Sequence, residues 1–229
     1  PRAERIELIQ KLERIRESRI LTYICSDRQG AAANIGDDAV RPMYDLVRAI
    51  GKTKKLDLFL YSRGGAVEVP WRIITMLREY CEELGALIPY RAQSAATLIA
   101  LGCDHLVMGP KAELGPIDPA INRVTPQEGG TPAQEEIRVE DVMSYIGFLR
   151  EKAGLGDQAA LADNVKILAE KLSPWTLGNI YRTHSHIRMV ARKMLGSHGS
   201  RMEDQRANLI VDALAEKTVI LDCVRELAM

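Results

Sequence analysis

Apolar positions recur at two different spacings along this chain. Between residues 6 and 15 they follow helical spacing. By contrast, the runs RILTYICS (19–26) and KLDLFLYS (55–62) are nearly continuous and rich in β-branched and aromatic residues, as buried strands are. Two further runs, ALIPYRA (86–92) and DHLVMG (104–109), predict a third and a fourth strand.

Helical patterns separate the predicted strands. We predict helices over residues 37–51, 67–84 and 94–102, the first of them closed by Gly51. Strands that alternate with helices through short connections predict a parallel sheet with right-handed crossovers. The pattern is therefore that of an α/β fold built from repeated βαβ units.

The second half of the chain has a different pattern. A stretch rich in Pro, Gly, Gln and Glu at 122–136 is typical of an exposed, mobile loop, and the pattern that follows it is helical throughout. The sequence thus predicts one domain over residues 1–229. Its parts are an α/β core (1–121), the loop (122–136) and a helical C-terminal extension (137–229).

Composition narrows the classes of partner. The 229 residues include 31 Lys+Arg and 31 Asp+Glu, so the formal net charge is zero, which argues against nucleic acid or an anionic membrane as the main partner. No apolar run approaches the roughly 18 residues of a membrane span. The four cysteines form no CxxC pair. We therefore expect free thiols in a reducing cytoplasm, and neither a metal site nor a cofactor.

Three predicted strand ends carry unusual sequence. They are RGGA (63–66), QSAAT (93–97) and GPKAELGPIDP (109–119). Parallel sheets build their sites beyond the carboxyl ends of their strands, so these segments are expected to emerge on one side of the sheet. The glycine pair would let backbone N–H groups approach a ligand closely, although two glycines after a strand are also an ordinary tight turn.

Ser94 has two interpretations from the residues alone. Serine is a favoured N-cap, and a cap is its more ordinary role at the start of a helix. The same position suits a nucleophile, because a helix N-terminus stabilises developing negative charge. The small side chains of Ala95 and Ala96 would leave room for a substrate backbone. Asp118 is by default a turn residue.

Residues 93–119, QSAATLIALGCDHLVMGPKAELGPIDP, are similar to the serine dehydrogenase proteinase family, relatives of signal peptide peptidase A within the Clp-protease/crotonase superfamily. The strong resemblance spans roughly residues 55–121. It implies a ClpP/crotonase-like fold and a serine peptidase that cleaves peptide bonds by acyl transfer. It also implies that Ser94 is the nucleophile and that Gly64, Gly65 and the N–H of Ala95 surround the oxyanion.

The catalytic base follows neither branch of that superfamily. The Clp branch places a histidine where this chain has Ile117 and Asp118, and the signal-peptide-peptidase branch uses a lysine on a later helix, where this chain reads YIGFL (145–149). His184 falls on the apolar face of the helix predicted from residue 175 onward. We predict His184 as the base with Asp118 as its orienting partner, and Lys152 as the alternative. A structural, hydrogen-bonded histidine is the more ordinary interpretation of His184.

Two other function classes stay open. One is a crotonase-type acyl-CoA enzyme, although the sequence offers no acidic pair for water addition and no basic cluster for the CoA phosphates. The other is a catalytically degenerate scaffold of the same fold. For the peptidase we expect a peptide or protein substrate. We also expect a homo-oligomer, because the N-terminal and C-terminal helices carry more apolar surface than a thin sheet can cover.

Overall fold

A computed structural model of the chain describes two compact units. Unit 1 comprises residues 1–117 and 190–229, and unit 2 comprises residues 118–189. These bounds differ from the predicted ones, since the end of the helical extension belongs to the same unit as the α/β core. One domain over residues 1–229 stays a prediction. The described residues are 2–117, 120–125, 133–151, 158–198 and 202–215.

Unit 1 is built on a parallel sheet of four strands. The strand order is β1-β2-β3-β5, and every neighbouring pair is parallel, as the alternating pattern predicted. Two short strands, β4 and β6, form a separate parallel pair beside it. The bounds are β1 Arg19–Ile24, β2 Thr53–Tyr61, β3 Cys81–Ile88, β4 Arg91–Ala92, β5 His105–Met108 and β6 Glu113–Leu114.

Helices cover this sheet and supply most of its core. In β2, Leu56, Leu58 and Leu60 alternate along the strand and are fully buried. All seven residues of α4 are buried, so this helix lies inside the unit. The bounds are α1 Arg2–Arg16, α2 Val40–Ile50 after a 3₁₀ turn at Asp37–Ala39, α3 Val69–Arg78, α4 Ala95–Leu101 and, far along the chain, α8 Asp204–Ala215.

The third strand begins earlier than predicted. Residues 81–84, which the sequence pattern assigned to the end of a helix, form the start of β3. Cys81 and Leu84 pair there with Thr53 and Leu56 of β2. Pairing with a neighbouring strand outweighs the helical preference of the Glu82–Glu83 dipeptide, because tertiary context overrides a weak local propensity.

Unit 2 contains a β-hairpin and helices. Strands β7 (Ala120–Thr125) and β8 (Ala133–Arg138) are antiparallel, with Ala120 opposite Arg138. Much of the predicted loop at 122–136 is therefore strand, while residues 126–132 lie outside the described part. The stretch contains β-branched residues, which favour a strand, although its overall composition is typical of a loop.

The helices of unit 2 follow the predicted pattern. They are α5 (Val139–Glu151), α6 (Gln158–Lys171) and α7 (Pro174–Leu195), the last of which continues into unit 1. Val139 and Val142 of α5 pack with Ile180 of α7 in the buried core of this unit. None of the described helices is long and apolar enough to cross a membrane.

Candidate active site

Ser94 lies between β4 and α4 in a backbone conformation that side chains rarely adopt. Its φ is 51° and its ψ is −117°. Glu17 is the other non-glycine residue with positive φ in the part of the chain that the structure describes. The Ser94 side chain makes no capping hydrogen bond to α4, so the cap interpretation does not account for this residue. Such a conformation costs about 1–3 kcal/mol and persists only where the surroundings enforce it.

Backbone hydrogen bonds enforce the conformation of Ser94. Its N–H donates to the carbonyl of Pro116 at 3.2 Å, and its carbonyl accepts the N–H of Leu98 at 3.2 Å. The residue before it is also fixed, because the Gln93 carbonyl accepts the N–H of Ala96 at 3.0 Å. The serine is thus held from both the segment after β6 and the start of α4.

Gly64 lies directly against the Ser94 side chain. A Cβ added at Gly64 would lie 2.7 Å from Cβ and 3.2 Å from Oγ of Ser94. The N–H of Gly64 donates to Ser62 Oγ at 3.0 Å, and its carbonyl accepts the N–H of Ile35 at 2.8 Å. Gly64 therefore provides the close approach, while its own N–H is already used.

The backbone N–H of Gly65, unlike that of Gly64, donates no hydrogen bond among the described residues. Its φ is +150°, and an added Cβ would lie 2.1 Å from the carbonyl oxygen of Ile35. The residue is exposed. Within the part of the chain that the structure describes, the N–H groups of Gly65 and Ala95 have no acceptor. Two of the three predicted oxyanion donors thus have no acceptor among the described residues; Gly65 is exposed, whereas Ala95 is fully buried.

The three predicted strand ends converge. Ser62, at the end of β2, donates its N–H to the Arg91 carbonyl at 3.1 Å and accepts the N–H of Gln93 at 3.1 Å. The Gly115 N–H donates to the Ala92 carbonyl at 2.8 Å. These bonds join the residues at or directly before the starts of segments 63–66 and 93–97 to one another and to segment 109–119, as the sequence predicted for one side of a parallel sheet.

A polar and aromatic group borders the glycine pair. The Tyr61 hydroxyl donates to the Asp27 carboxylate at 2.6 Å, and Arg63 Nε lies 3.3 Å from the same oxygen. The hydrogen bond from Tyr61, followed by the charge of Arg63, lowers the pKa of Asp27. Tyr61 stacks on Tyr90 with ring centroids 6.1 Å apart and an interplanar angle of 11°.

A second polar group lies beside Ser94. Glu113 accepts hydrogen bonds from Arg91 Nε at 2.7 Å and from Gln93 Nε2 at 3.0 Å. The Arg91 guanidinium also lies 4.4 Å from the centroid of the Tyr90 ring. Sequence reasoning missed both groups. The sequence feature that indicates both groups is the presence of charged and aromatic residues at the ends of β2 and β3. The predicted site used only the small residues there.

The predicted base stays a prediction. Among the described residues, no side chain forms a hydrogen bond with the Ser94 hydroxyl. His184 belongs to unit 2, where it is half-buried and its Nε2 lies 3.5 Å from Arg188 Nη1. Asp118 and Lys152 lie outside the described residues.

The cysteine thiols near the sheet are not part of the candidate active site. Burial raises the pKa of the Cys103 thiol, and burial also raises that of Cys81 to about 11. Cys25, Cys81 and Cys103 are free thiols. Across the described ranges, no group of three or more His, Cys, Asp or Glu side chains is placed to hold a metal ion.

Solved structures that resemble this fold include two mutants of the 1510-N membrane-bound stomatin-specific protease. A serine-to-alanine mutant matches with a TM-score of 0.39 and 14% identity, over 56% of this chain and 58% of that one. A lysine-to-alanine mutant in complex with a substrate peptide matches with a TM-score of 0.38 and 15% identity, over 56% of this chain and 55% of that one.

The sequence comparisons are more specific. Two uncharacterized proteins of Methanocaldococcus jannaschii, MJ0137 and MJ1495, are 29% and 30% identical over 127 and 128 residues, in each case 52% of this chain. The chain covers less than half of those relatives, 44% and 43% of their lengths. Residues 2–128, more than half of the chain, match the family described as ClpP-like SDH-type serine proteinase. The chain belongs to that family.

Proposed function

We propose that this protein is a serine peptidase that cleaves peptide bonds through an acyl-enzyme on Ser94. The observation that carries the proposal is the uncapped Ser94 at positive φ, in contact with Gly64. Beside it are the uncommitted N–H groups of Gly65 and Ala95. A serine turned away from its capping role, next to unused backbone donors, is the arrangement that acyl transfer requires.

The proposed reaction has two halves. Ser94 Oγ attacks the scissile carbonyl carbon, its proton passes to a base, and the N–H groups of Gly65 and Ala95 stabilise the oxyanion. The C–N bond then breaks, the departing amine takes the proton, and an ester on Ser94 remains. Water, deprotonated by the same base, hydrolyses that ester and restores the serine. This chemistry uses no metal and no cofactor.

We keep His184 as the proposed base, with Asp118 as the proposed orienting residue and Lys152 as the alternative base. An imidazole suits proton transfer near neutral pH. The support is the position of His184 between Ile180 and Ile187, each 2% exposed, on the inner side of α7. The proposal extends to a cytoplasmic homo-oligomer, and the free thiols of the described residues fit a reducing compartment.

A fluorophosphonate probe tests the nucleophile. We expect stoichiometric labelling of the wild type and none of Ser94→Ala. Ser144→Ala is the matched control, because Ser144 is an exposed serine whose hydroxyl contacts Glu140 within its own helix. Labelling of Ser94→Ala at the wild-type level would contradict the assignment. A folded wild type that is never labelled would favour the non-catalytic scaffold or the acyl-CoA enzyme.

The base is tested by His184→Ala and Lys152→Ala in the same labelling assay and in peptide hydrolysis. Loss of a general base typically lowers the rate by about 10² to 10⁴, so we expect His184→Ala to lose that much and to lose the dependence of rate on pH near neutrality. If Lys152→Ala shows the loss instead, the base is Lys152. If both variants react at the wild-type rate, both assignments are wrong.

A further inference from the structure

The buried hydroxyl of Thr97 contacts the end of β4, just before Ser94, and the segment after β6. Thr97 is fully buried in α4. Its Oγ1 lies 2.8 Å from the carbonyl oxygen of Ala92 and 2.8 Å from that of Gly115. A hydroxyl carries one hydrogen, so it donates to one of these carbonyls at a time. It therefore bridges the segment before Ser94 and the segment after β6.

Both bridged segments also hold Ser94 directly. Gly115 donates its N–H to the Ala92 carbonyl at 2.8 Å, so the two segments are already paired beside the hydroxyl. The next residue, Pro116, accepts the N–H of Ser94 at 3.2 Å. Thr97 thus closes a ring of hydrogen bonds that runs through Ala92, Gly115 and Pro116 back to Ser94.

Thr97 is the third residue of α4, so no carbonyl of its own helix lies four residues before it. A helical threonine commonly bonds to the carbonyl four residues earlier in its own helix. Thr75 in α3 does so, with Oγ1 2.8 Å from the carbonyl oxygen of Trp71. The Thr97 hydroxyl instead reaches Ala92, outside α4, and Gly115, eighteen residues further along the chain. Its contacts are between segments, and not within the helix.

We propose that Thr97 is a positioning residue for the nucleophile, which rests on the proposed function of Ser94. Its hydroxyl fixes the spacing of these two segments and thereby keeps Ser94 at a φ of 51°. A non-glycine residue keeps such a conformation only where its surroundings over-determine it. Without the hydroxyl, Ser94 relaxes to negative φ, and its Oγ moves away from the glycine pair.

The test compares Thr97→Val and Thr97→Ala, which lack the hydroxyl, with Thr97→Ser, which retains it. Thr75→Val is the control, because it removes a threonine hydroxyl that bonds only within α3. The two measurements are the φ of Ser94 in crystal structures and the rate constant of fluorophosphonate labelling of the folded protein. Unfolding lowers the labelled fraction but not this rate constant, so a merely structural role would leave the rate constant unchanged.

We expect Thr97→Val and Thr97→Ala to label about tenfold more slowly, the effect of one hydrogen bond on a barrier, with Ser94 at negative φ. Thr97→Ser and Thr75→Val should behave like the wild type. Wild-type rates and a retained positive φ in the hydroxyl-free variants would overturn the proposal. If Thr97→Val does not fold, the Ala and Ser variants decide. If the wild type is not labelled, the proposed function fails, and the φ of Ser94 in Thr97→Ala still decides the role of Thr97.

Discussion

At the scale of single residues, Gly65 has the least tolerance for change. A Cβ at this position would lie 2.1 Å from the Ile35 carbonyl oxygen and 2.5 Å from the Ile35 nitrogen, and the φ is +150°. Both neighbours are backbone atoms, which cannot turn aside as a flexible side chain can. Any substitution must therefore displace the backbone of Gly65, together with the N–H that we propose as an oxyanion donor.

We accordingly expect Gly65→Ala to abolish most peptide hydrolysis, because loss of one oxyanion donor costs about 3 kcal/mol at the transition state, or about 10²-fold in rate. The measurement is kcat/KM, with a thermal melt to confirm folding. Gly30→Ala is the control, since Gly30 also has positive φ (+78°) but nothing within 4 Å of an added Cβ. Unchanged turnover in folded Gly65→Ala would show that this N–H does not stabilise the oxyanion.

Cys103 predicts a dependence of stability on pH. Burial raises the pKa of its thiol. The stability that the neutral thiol contributes is therefore fully present below the pKa of the unfolded state, about 8.5, and is lost as pH rises toward the folded pKa. We expect urea unfolding between about pH 8 and 10 to show a falling free energy, at most about 1.4 kcal/mol per pH unit for each thiol.

The quantity to compare between variants is the slope of the unfolding free energy against pH, and not the unfolding free energy itself. Cys103→Ala should flatten the fall, although it also removes buried atoms. Cys81→Ala should flatten it by a similar amount up to about pH 10, because the pKa of that thiol is raised to about 11 and the folded protein keeps it protonated over this range. An identical slope in Cys103→Ala and the wild type would contradict the assignment.

The contact between Ser94 and the glycine pair was within reach of the sequence, because parallel strand ends meet at one edge. The positive φ of Ser94 was not. It depends on the carbonyl of Pro116, twenty-two positions away and in a different loop. The pairing of Tyr61 with Asp27 was hidden for the same reason, since neither residue has a local signal for the other.

At the scale of elements, α1 is attached to the sheet mainly by polar contacts. No residue of this helix is buried. Arg16 Nε donates to the Asp57 carboxylate at 2.9 Å, and Ser18 Oγ donates to the same oxygen at 2.7 Å. Asp57 is completely buried in β2, so its charge depends on these two partners. The Arg16–Asp57 ion pair therefore anchors α1 to the sheet.

We expect Asp57→Asn to loosen α1 without disrupting the sheet. Removing the buried charge weakens both hydrogen bonds and lowers the free energy of unfolding by about 1–3 kcal/mol. Hydrogen exchange should accelerate in the amides of α1 and remain slow in β2 and β3. Asp45→Asn is the control, because its pair with Arg41 is solvent-exposed and such pairs contribute about 0–1 kcal/mol. Equal protection of α1 in Asp57→Asn and the wild type would refute the anchor.

Elements with strong periodicity were predictable, and those set by pairing were not. The four strands of the parallel sheet and the helices after residue 139 follow their apolar patterns. The early start of β3 and the β7–β8 hairpin depend on which strand lies alongside. At the start of β3 the local residues favour a helix, and pairing with β2 outweighs that preference; in the hairpin stretch, β-branched residues suit a strand, but Pro and Gly in the same stretch indicated a loop.

At the scale of the whole molecule, the candidate site residues that a sequence motif marks lie in the half of the chain that the family match covers. Residues 2–128 include Ser94 and the glycine pair, whose positions follow from motifs. The proposed base lies beyond that match. A general base is defined by the position of its side chain relative to the nucleophile in three dimensions. No short sequence motif in α7 indicates such a position. This is why a motif marks Ser94 as the proposed nucleophile, whereas the proposed base has no motif of its own.

The last prediction concerns assembly. Both units expose large apolar side chains, Ile6 (45%), Leu8 (61%) and Ile15 (67%) on α1 and Trp175 (88%) and Tyr181 (69%) on α7. Exposed apolar area of this kind is typical of interfaces, and soluble assemblies are most often symmetric homo-oligomers. We therefore expect light scattering at micromolar concentration to give a multiple of the 25.5 kDa chain mass.

Two single variants locate the interface, because a charge at a buried contact costs several kcal/mol while one in solvent costs little. Leu8→Glu should dissociate the oligomer if α1 lies in the contact, and Trp175→Glu if α7 does. Gln10→Glu is the matched control, since it adds the same charge to α1 at an exposed polar position. A wild-type mass of 25.5 kDa would contradict the assembly. An oligomer that survives both variants would require an interface elsewhere, because neither apolar set would then be buried in it.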